Sequence, residues 1–307
     1  MTDDIRDGAL VSIGELARST GLAVRTIRFY CDEGIVESRR SAGGHRLFDA
    51  EKARERLLLV RRLRALGLGL GAIAEVLRGE RSIAEAVAAE SARLDIEFRA
   101  MAWRRASLRA VETADPAQRA ERLAVLAAAE NSDTAHDRLV QFWRQILAPI
   151  TGRDVTAWLC GNVPEPPTDP TVDQVVAYAE LTALAADPAM TAAVRQQLWR
   201  TQPHLVHDPQ GLYDRMSELM TDVAALVSEN VQPHTGAELD RFVAAHAHAR
   251  GERDSPAFRT QLLTNATDSD PRIHRYWTLT EQLLGTRLIV GNVHHWLYAA
   301  LTDSRSK

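Results

Sequence analysis

Apolar residues recur every three or four positions in several segments near the start of the chain, which is typical of amphipathic helices. The pattern predicts four short helices, over about 13–19, 23–33, 50–66 and 71–78. Ser12 and Glu15 have the spacing of a capping box at the start of the first helix, and Gly21 and Gly34 suit the ends of the first two. Two short helices joined by a turn that contains glycine form a helix-turn-helix unit.

A Gly-Gly turn, Gly43-Gly44, separates the second and third predicted helices. Ile35 and Val36 precede it and Leu47 and Phe48 follow it, which predicts a short hairpin or wing. The tip of this wing is basic and carries Arg39, Arg40, His45 and Arg46. In the helix that follows, the residues expected to face inward are Leu58, Leu59, Leu63 and Leu66.

A much longer helix is predicted over residues 82–113, which contain neither Pro nor Gly. Its apolar positions are Ile83, Val87, Leu94, Phe98, Met101, Leu108 and Val111. With Glu90 and Arg105 in the gaps, the spacing is three or four throughout, close to the 3.5-residue average of a coiled coil. So narrow an apolar stripe favours pairing with a helix of another copy; the alternative is a helix packed within its own monomer.

The remainder of the chain is patterned as helix, without a convincing period-two run in residues 116–307. Asp or Ser stands before Pro at four places where a new helix can begin, which is the expected N-cap and N1 pair. We therefore expect a mainly α protein with a bundle of about seven to nine helices in its second half. The expected domains are a winged helix-turn-helix domain over 1–81, a long antiparallel coiled-coil dimerisation helix over 82–114, and an all-helical regulatory domain over 115–307.

Composition narrows the class of protein. The 307 residues are 45% hydrophobic and 25% charged, which is ordinary for a globular protein of about two domains. No run approaches the ~18 apolar residues of a membrane span, and the acidic start lacks an apolar signal core, so we expect a cytoplasmic protein without a membrane partner. Cys31 and Cys160 lie far apart without Cys or His at ligand spacing, which argues against a disulfide scaffold, a zinc site or an iron–sulfur cluster.

Charge is distributed unevenly along the chain. Residues 12–81 contain 14 Lys and Arg against nine Asp and Glu, a net charge of +5. Residues 111–307 contain 17 against 25, a net charge of −8. A basic domain joined to an acidic one presents the basic part to polyanions such as nucleic acid.

The second predicted helix lies in the stretch GLAVRTIRFYCDEGIV, residues 21–36, which gathers cations and aromatic side chains. Arg25 and Arg28 are candidates for base edges or phosphates, because Arg is the commonest reader of guanine in the major groove. Thr26 and Tyr30 can donate to phosphate oxygens. Phe29 is also a candidate for DNA contact, and the alternative for it is packing in the core of the domain.

Further candidates for DNA contact lie in the wing and the third helix. Arg39, Arg40, His45 and Arg46 are expected along flanking phosphates or the minor groove, with Gly43 and Gly44 allowing a close approach. Arg62 is a further phosphate candidate, while Arg61 and Arg64 are expected on a solvated face.

Residues 11–78 resemble the MerR family of transcription regulators. The resemblance rests on TGLAVRTIRFYCDEGIV, SRRSAGGHRLFD and VRRLRALGLGLGAIAEVL. His45 stands where the family often has Tyr, Cys31 where Asp is frequent, and Phe29 replaces one of two consecutive tyrosines, which removes a hydroxyl that can donate to phosphate. The resemblance implies a homodimer that reads two half-sites in double-stranded promoter DNA. It also implies that RNA polymerase holoenzyme is present at the promoter, and that a signal leads the protein to untwist and bend an overlong spacer.

The helical part of the chain, residues 115–307, is where we expect a signal to be received. The helical part has no cysteine cluster for a metal or redox sensor, no cobalamin-binding motif and no β-rich drug-binding module, and it distantly resembles the helical drug-recognition domains of some actinobacterial relatives. Its aromatic residues are candidates to line a pocket for a planar or cationic organic molecule, the alternative being ordinary core. They are Trp143, Trp158, Tyr178, Trp199, Tyr213, Tyr276, Trp277 and Trp296, with Tyr298 nearby.

We expect no catalytic residue, cofactor or metal, because no nucleophile–base pair, phosphate loop or paired acids emerge. The paired histidines, His204/His207, His246/His248 and His294/His295, are expected to be caps or solvated side chains. Three functions remain open: a ligand-responsive regulator, a protein that sequesters a toxic small molecule and controls only its own synthesis, or a regulator whose helical part binds another protein.

Overall fold

The computed structural model of the chain describes residues 9–41, 43–201 and 203–304. These form two compact units, one up to Glu97 and the other from Phe98, which are described separately below. The acidic N-terminal residues 1–8, on which the expectation of no signal segment partly rests, lie outside the described residues. None of the helices in the described ranges combines the length and apolar character that a membrane span requires.

The first unit contains three strands and the short helices predicted from the sequence. Its elements are β1 Leu10–Ser12, α1 Ile13–Thr20, α2 Val24–Asp32, β2 Arg39–Arg40, β3 Arg46–Asp49, α3 Ala50–Ala65, α4 Leu70–Arg78 and the start of α5 Ile83–Glu112. Each predicted helix is present within two residues of its expected bounds. The strands form an antiparallel sheet in the order β1-β3-β2. Strand β1 was not predicted, because three residues are too few for a period-two pattern.

Local signals at the element ends act as predicted. The Ser12 hydroxyl accepts a hydrogen bond from the Glu15 amide, and the Glu15 carboxylate accepts one from the Ser12 amide, which closes the capping box. Gly21 ends α1 in the left-handed region at φ +70°, which a residue without Cβ adopts without strain. In the wing, Ile35 and Val36 are buried but belong to no strand, so the predicted hairpin is shorter than expected.

The core of the first unit corrects one prediction about α3. The buried face of this helix is formed by Ala53, Leu57, Val60 and Leu63. Leu59 is partly buried and packs against this core, Leu58 is partly buried, and Leu66 is 62% exposed, so the prediction that Leu66 faces inward is wrong. Leu66 lies nine positions beyond Leu57, and nine steps of about 100° place it on the opposite side of the helix.

The second unit is entirely helical in the described residues. After α5 come α6 Arg119–Leu126, α7 Ser132–Ile146, α8 Gly152–Asn162, α9 Val172–Ala186, α10 Pro188–Trp199, α11 Pro209–Ser228, α12 Ala237–His248, α13 Pro256–Thr264, α14 Pro271–Leu284 and α15 Val290–Asp303, with 3-10 turns at Ala127–Ala129 and Pro203–Leu205. These ten α-helices exceed the seven to nine expected. Four of them begin at the predicted capped prolines, after Asp187, Asp208, Ser255 and Asp270.

A buried polar cluster lies between α10, α12, α15 and the loop before α14. Arg200 and Asp268 form an ion pair in which each side chain is 1% exposed, and Gln197 donates to the same carboxylate. His246 and His294 are also buried, so the expectation that they are caps or solvated side chains is wrong. His204, His207, His248 and His295 are exposed. Burial lowers the pKa of His246 well below its usual value, and burial together with the nearby Arg200 lowers the pKa of His294 to about 4.

Removing the carboxylate from the buried pair should destabilise the second unit strongly. We expect Asp268→Asn to reduce the free energy of unfolding by about 3–5 kcal/mol, because Arg200 is left buried without a counter-charge. Urea unfolding measures the change. The matched control is Asp169→Asn, which breaks the exposed Arg105–Asp169 pair and should alter stability by at most ~1 kcal/mol. Equal effects of the two substitutions would contradict the role given to burial.

The buried histidines predict acid sensitivity. A histidine whose pKa is lower in the folded state binds its proton mainly after unfolding, so its stabilising effect is complete above pH 6.5 and is lost as the pH falls toward 4. We expect His294 to account for up to about 3 kcal/mol of lost unfolding free energy over this interval. His294→Gln should flatten the stability–pH profile, whereas substitution of its exposed neighbour, His295→Gln, should leave the slope unchanged. A profile that His294→Gln does not alter would argue against this assignment.

Candidate nucleic-acid interface

Helix α2 has one face in the core and one face free. Ile27 and Tyr30 are buried, while Arg25 and Arg28 are exposed on the other side. Phe29 is 46% exposed, so core packing, its alternative, is not what the structure shows. An exposed helix face with two guanidinium groups and an aromatic edge has the size and chemistry that a major groove accepts.

The remaining two candidates on α2 are less exposed. Tyr30 is 9% exposed and its ring belongs to the core of the first unit, 5.9 Å from the Phe29 ring. Its hydroxyl makes no hydrogen bond within the described part of the chain. Thr26 is half-buried on the same helix. Both hydroxyls therefore depend on an external partner or on water for a hydrogen bond.

The turn between α1 and α2 is anchored from α3. The Thr20 hydroxyl donates to the Leu16 carbonyl at 2.7 Å, and Arg61 Nη1 donates to the Thr20 carbonyl at 3.2 Å. Arg64 Nη1 donates to the Leu68 carbonyl at 2.8 Å. Arg61 thus caps the end of α1 and Arg64 holds the loop between α3 and α4, so neither merely forms the solvated face expected from the sequence.

The wing is a tight β-turn between β2 and β3. The Ser41 amide donates to the His45 carbonyl at 2.8 Å, and the Gly44 amide donates to the Ser41 carbonyl at 2.9 Å. Gly44 has φ +78°, which a residue without Cβ adopts without strain. Arg39, Arg40, Gly43, Gly44 and His45 are all exposed at this tip.

The arginines of the first unit separate into free and engaged groups. Arg25, Arg28, Arg39, Arg40 and Arg62 are exposed, and none of them makes an ion pair or side-chain hydrogen bond within the described residues. Arg46, also predicted to contact DNA, is instead paired with Asp32 at 2.7 Å and is less exposed. This pair raises the pKa of Arg46 and joins β3 to the end of α2. Arg46 therefore positions the wing relative to α2, and a phosphate contact would compete with that ion pair.

Cys31, beside Arg46, is partly buried, and burial raises the pKa of its thiol. The thiol is thus mostly protonated at neutral pH, which disfavours reactivity. Cys160 is exposed in α8. Within the described residues, no group of three or more His, Cys, Asp or Glu side chains is placed to hold a metal ion.

The long helix α5 has two apolar faces. Ala102, Trp103, Ala106 and Ala110 are buried in the second unit. The candidate dimerisation residues that point away from this face are Leu94, Phe98, Met101 and Leu108, and each is about half exposed or more. Ile83 is also exposed, Val87 packs against the core of the first unit, and Val111 is half-buried. Ile96, 53% exposed, was missed because it lies off the three-and-four spacing.

Helices α8, α10, α11 and α15 surround a partly open cavity of about 620 Å³ in the second unit. Three of the predicted aromatic residues line it: Trp158, Trp199 and Tyr213. The other five, Trp143, Tyr178, Tyr276, Trp277 and Trp296, belong to the hydrophobic core and are not part of the cavity wall, and neither is Tyr298. Periodicity could not separate the two groups, because both lie on helix faces that turn inward.

The polar groups of the core aromatic residues are satisfied by other groups of the same unit. Trp143 Nε1 donates to the Tyr276 hydroxyl at 2.7 Å, and the Tyr178 hydroxyl donates to the Pro164 carbonyl at 2.8 Å. Trp277 Nε1 donates to Gln197 at 3.1 Å and Trp296 Nε1 to the Val231 carbonyl at 2.9 Å. These bonds are typical of structural aromatic residues.

The division of the arginines predicts two classes of variant. Arg25→Ala, Arg28→Ala, Arg39→Ala and Arg40→Ala should each change the free energy of unfolding by less than about 0.5 kcal/mol, since these side chains have no intramolecular partner in the described residues. Arg61→Ala should lower it by about 1 kcal/mol, because the Thr20 carbonyl loses its hydrogen bond. Thermal or urea unfolding of purified variants measures both. A large loss of stability in the first class would mean that those arginines support the fold.

Comparison with known protein families identifies the same part of the chain as the candidate interface. Residues 11–80 match the family model described as MerR HTH family regulatory protein. Nodulation protein NolA of Bradyrhizobium elkanii is 34% identical over 107 residues, which are 34% of this chain and 48% of that protein. The NolA proteins of Bradyrhizobium diazoefficiens and of Bradyrhizobium sp. strain NC92 are 35% and 36% identical over 86 residues, 28% of this chain and 36% of theirs.

The alignments thus span about half or less of each of these relatives, and no solved structure matches the chain. The matched residues hold the capped helix α1, the arginine-bearing helix α2 and the wing. The resemblance found in the sequence is confirmed for this domain: residues 11–80 form a helix-turn-helix domain of the MerR family of regulatory proteins.

Proposed function

We propose that the chain is a dimeric transcriptional regulator that binds double-stranded promoter DNA through α2 and the wing. The observation that carries this proposal is the set of exposed arginines on α2 and β2 that have no acidic partner in the described residues. Cations left unpaired on a well-packed domain are available to phosphates, whose neutralisation supplies most non-specific DNA affinity.

Each candidate residue has a proposed role. Arg25 and Arg28 contact base edges or adjacent phosphates in the major groove, while Thr26 and Tyr30 donate to phosphate oxygens. Phe29 packs against the sugar–phosphate edge of the groove. The remaining contacts, to flanking phosphates or the minor groove, come from Arg39, Arg40, His45 and Arg62, with Gly43 and Gly44 admitting the backbone.

A homodimer formed through α5 is the second part of the proposal. Residues 91–101 are all exposed in the single chain, and a helical stretch of this length without packing is marginal in water. The exposed stripe from Leu94 to Leu108 is the kind of surface that an antiparallel copy of the same helix covers. The helix-turn-helix domains of two copies (residues 1–81, here called heads) would be joined by this helix pair. They would then bind two half-sites related by a two-fold axis.

The mechanism follows from the family to which the head belongs. Binding of a signal shifts the dimer to a state that untwists and bends the promoter spacer, so that RNA polymerase holoenzyme can engage both promoter elements. Such deformation requires several kcal/mol, which additional contacts in the active state must supply. We propose that the signal is a small organic molecule bound by the helical domain, residues 115–307, and that the dimerisation helix, residues 82–114, transmits it to the head, residues 1–81.

A second candidate function is supported by the cavity in the second unit. A chain that sequesters a toxic small molecule there, and uses its head only to control its own synthesis, would have the same parts. Transcription assays combined with thermal shift separate the two proposals. A molecule that stabilises the chain strongly yet never alters transcription would favour sequestration.

DNA binding can be tested on duplexes from the chain's own upstream region. Arg25→Ala and Arg28→Ala should each weaken binding by about 1–3 kcal/mol, and loss of a phosphate contact should reduce the salt slope by about one. Fluorescence anisotropy at several salt concentrations measures both quantities. Arg144→Ala, which removes an exposed arginine of α7, is the control and should have no effect. Unchanged affinity in the α2 variants would refute the proposed reading role.

Dimerisation can be tested on the same full-length chain. Met101→Glu and Leu94→Glu place a charge in the exposed stripe, and we expect them to convert a dimer into a monomer in analytical ultracentrifugation. DNA affinity should fall at the same time, because a monomer engages only one half-site. Ala92→Glu, which adds the same charge on the opposite side of α5, should remain dimeric. A wild-type chain that sediments as a monomer would disprove the arrangement.

A further inference from the structure

The wall of the cavity in the second unit is mainly apolar, and its residues with polar side chains are Asn162, Tyr213, Ser217, Thr221, Ser228 and His294. Helix α11 contributes the longest wall, on which Met216 and Met220 lie one turn apart. Trp158 of α8 and Leu198 of α10 face the same space, and Leu288 and Val290 close it near the start of α15. A volume of about 620 Å³ is that of a site for a drug-sized molecule, and methionine side chains adapt readily to ligands of irregular shape.

Among the described residues that line the cavity, none is Asp, Glu, Lys or Arg. Its titratable side chains are His294 and Tyr213. Burial lowers the pKa of His294 to about 4 and raises that of Tyr213, so both are uncharged at neutral pH. A charged ligand would lose hydration on entering and find no counter-charge in the wall. The sequence suggests a planar or cationic ligand. The wall provides aromatic rings for such a ligand but no negative charge, so a cationic ligand is disfavoured.

The polar groups of the wall are few, and they divide into satisfied and unsatisfied ones. Asn162 donates to the Trp158 carbonyl at 3.0 Å and accepts from the Val290 amide at 3.3 Å, and the Ser228 hydroxyl donates to the Ala225 carbonyl at 2.7 Å. His294, by contrast, is 3% exposed, and neither of its ring nitrogens makes a hydrogen bond within the described residues; Nδ1 is fully enclosed, which leaves Nε2 as the nitrogen that a ligand can reach. An unpaired buried polar group is destabilising, and a ligand with a complementary group relieves that penalty.

Trp158 supplies the aromatic surface. It is only partly buried, its ring centre lies 4.0 Å from that of the core residue Trp143, and its indole N–H has no acceptor within the described ranges. Helix α8, which carries it, has no fully buried residue. The helix is held at its start by polar contacts: the Thr151 amide donates to Gln210 at 3.0 Å, and Gln210 Nε2 donates to Asp154 at 2.8 Å.

We propose that this cavity binds an uncharged, mainly apolar organic molecule whose planar ring stacks on Trp158 and which forms one hydrogen bond with His294. The ligand adds apolar contact to α8, none of whose residues is fully buried by its own chain, so its occupancy is communicated through α8. That this occupancy regulates transcription rests on the function proposed above, whereas binding itself does not.

Two dyes with one skeleton test the requirement for neutrality on the full-length chain. N-phenyl-1-naphthylamine is uncharged, and 8-anilino-1-naphthalenesulfonate carries the same rings with an added sulfonate. We expect the neutral dye to bind with enhanced fluorescence and the anionic dye to bind at least about tenfold more weakly. Equal affinities would overturn the assignment of ligand class.

A matched pair of substitutions locates the dye. Ala224→Phe places a ring within the cavity wall, and Ala183→Phe places the same ring at an exposed position of α9. The first should reduce affinity for the neutral dye about tenfold or more, and the second should leave it unchanged, with circular dichroism checking that both fold. Binding that withstands Ala224→Phe would place the dye elsewhere and refute the site.

The role of His294 is tested with 1-naphthol and 1-methylnaphthalene, which differ in a hydroxyl against a methyl group. The ratio of the affinity for 1-naphthol to that for 1-methylnaphthalene should be about five- to tenfold lower in His294→Leu than in the wild-type chain, as expected for the loss of one hydrogen bond. A merely structural histidine would alter both affinities equally and would disprove the hydrogen bond. Naphthol should also slow amide exchange in residues 152–162, and unchanged exchange there would refute communication through α8.

Anisotropy with promoter DNA in the same samples separates this site from the proposed function. A chain that binds the neutral dye as described but ignores DNA refutes the regulator and leaves the site intact. A chain that binds DNA but not the neutral dye refutes the site and leaves the regulator intact.

Discussion

The long helix α5 has two apolar faces to remove from water, and its own chain covers only one of them. Ala102, Trp103, Ala106 and Ala110 are packed into the helical unit, where Trp103 meets Tyr178 edge to face at 5.5 Å. The stripe from Leu94 to Leu108 remains in solvent. Because one apolar face of this thirty-residue helix stays exposed, we propose that a second copy of the chain covers it. The spacing of the two heads would then be set by the register of that helix pair.

The proposed interface for DNA depends both on the positions of the arginines and on their lack of partners within the domain. Arg46, Arg61 and Arg64 are used inside the domain, the first in an ion pair with Asp32 and the other two as caps on carbonyl groups. Arg25 and Arg28 have no such partner in the described residues. Arg46 and Arg61 hold the wing and the start of α2 in place, so that the unengaged arginines present a surface that is already ordered without DNA. Preorganisation of this kind reduces the entropy lost on binding.

The helical unit combines a costly polar cluster with an uncharged cavity, and His294 belongs to both. The Arg200–Asp268 pair lies out of water, and the positive field of Arg200 helps to keep His294 neutral. A neutral imidazole in an apolar wall can recognise one polar group without attracting ions. In the proposed site, the same residue would link the acid sensitivity of the unit to a preference for uncharged molecules, since both depend on its burial beside a cation.

The amino-acid sequence by itself determined the helices, their caps, the basic head and its family, because those features depend on residues within about four positions of one another. The Ser12–Glu15 box, Gly21 and the capped prolines are of this local kind. Tertiary structure decided that Leu66 is exposed, that Arg46 is engaged, that β1 pairs with β3, and that His246 and His294 are buried. Arg200 and Asp268 meet across 68 residues of chain, and the cavity wall is drawn from four helices. The periodicity of the sequence does not encode contacts of this kind, because they depend on how whole helices pack against one another.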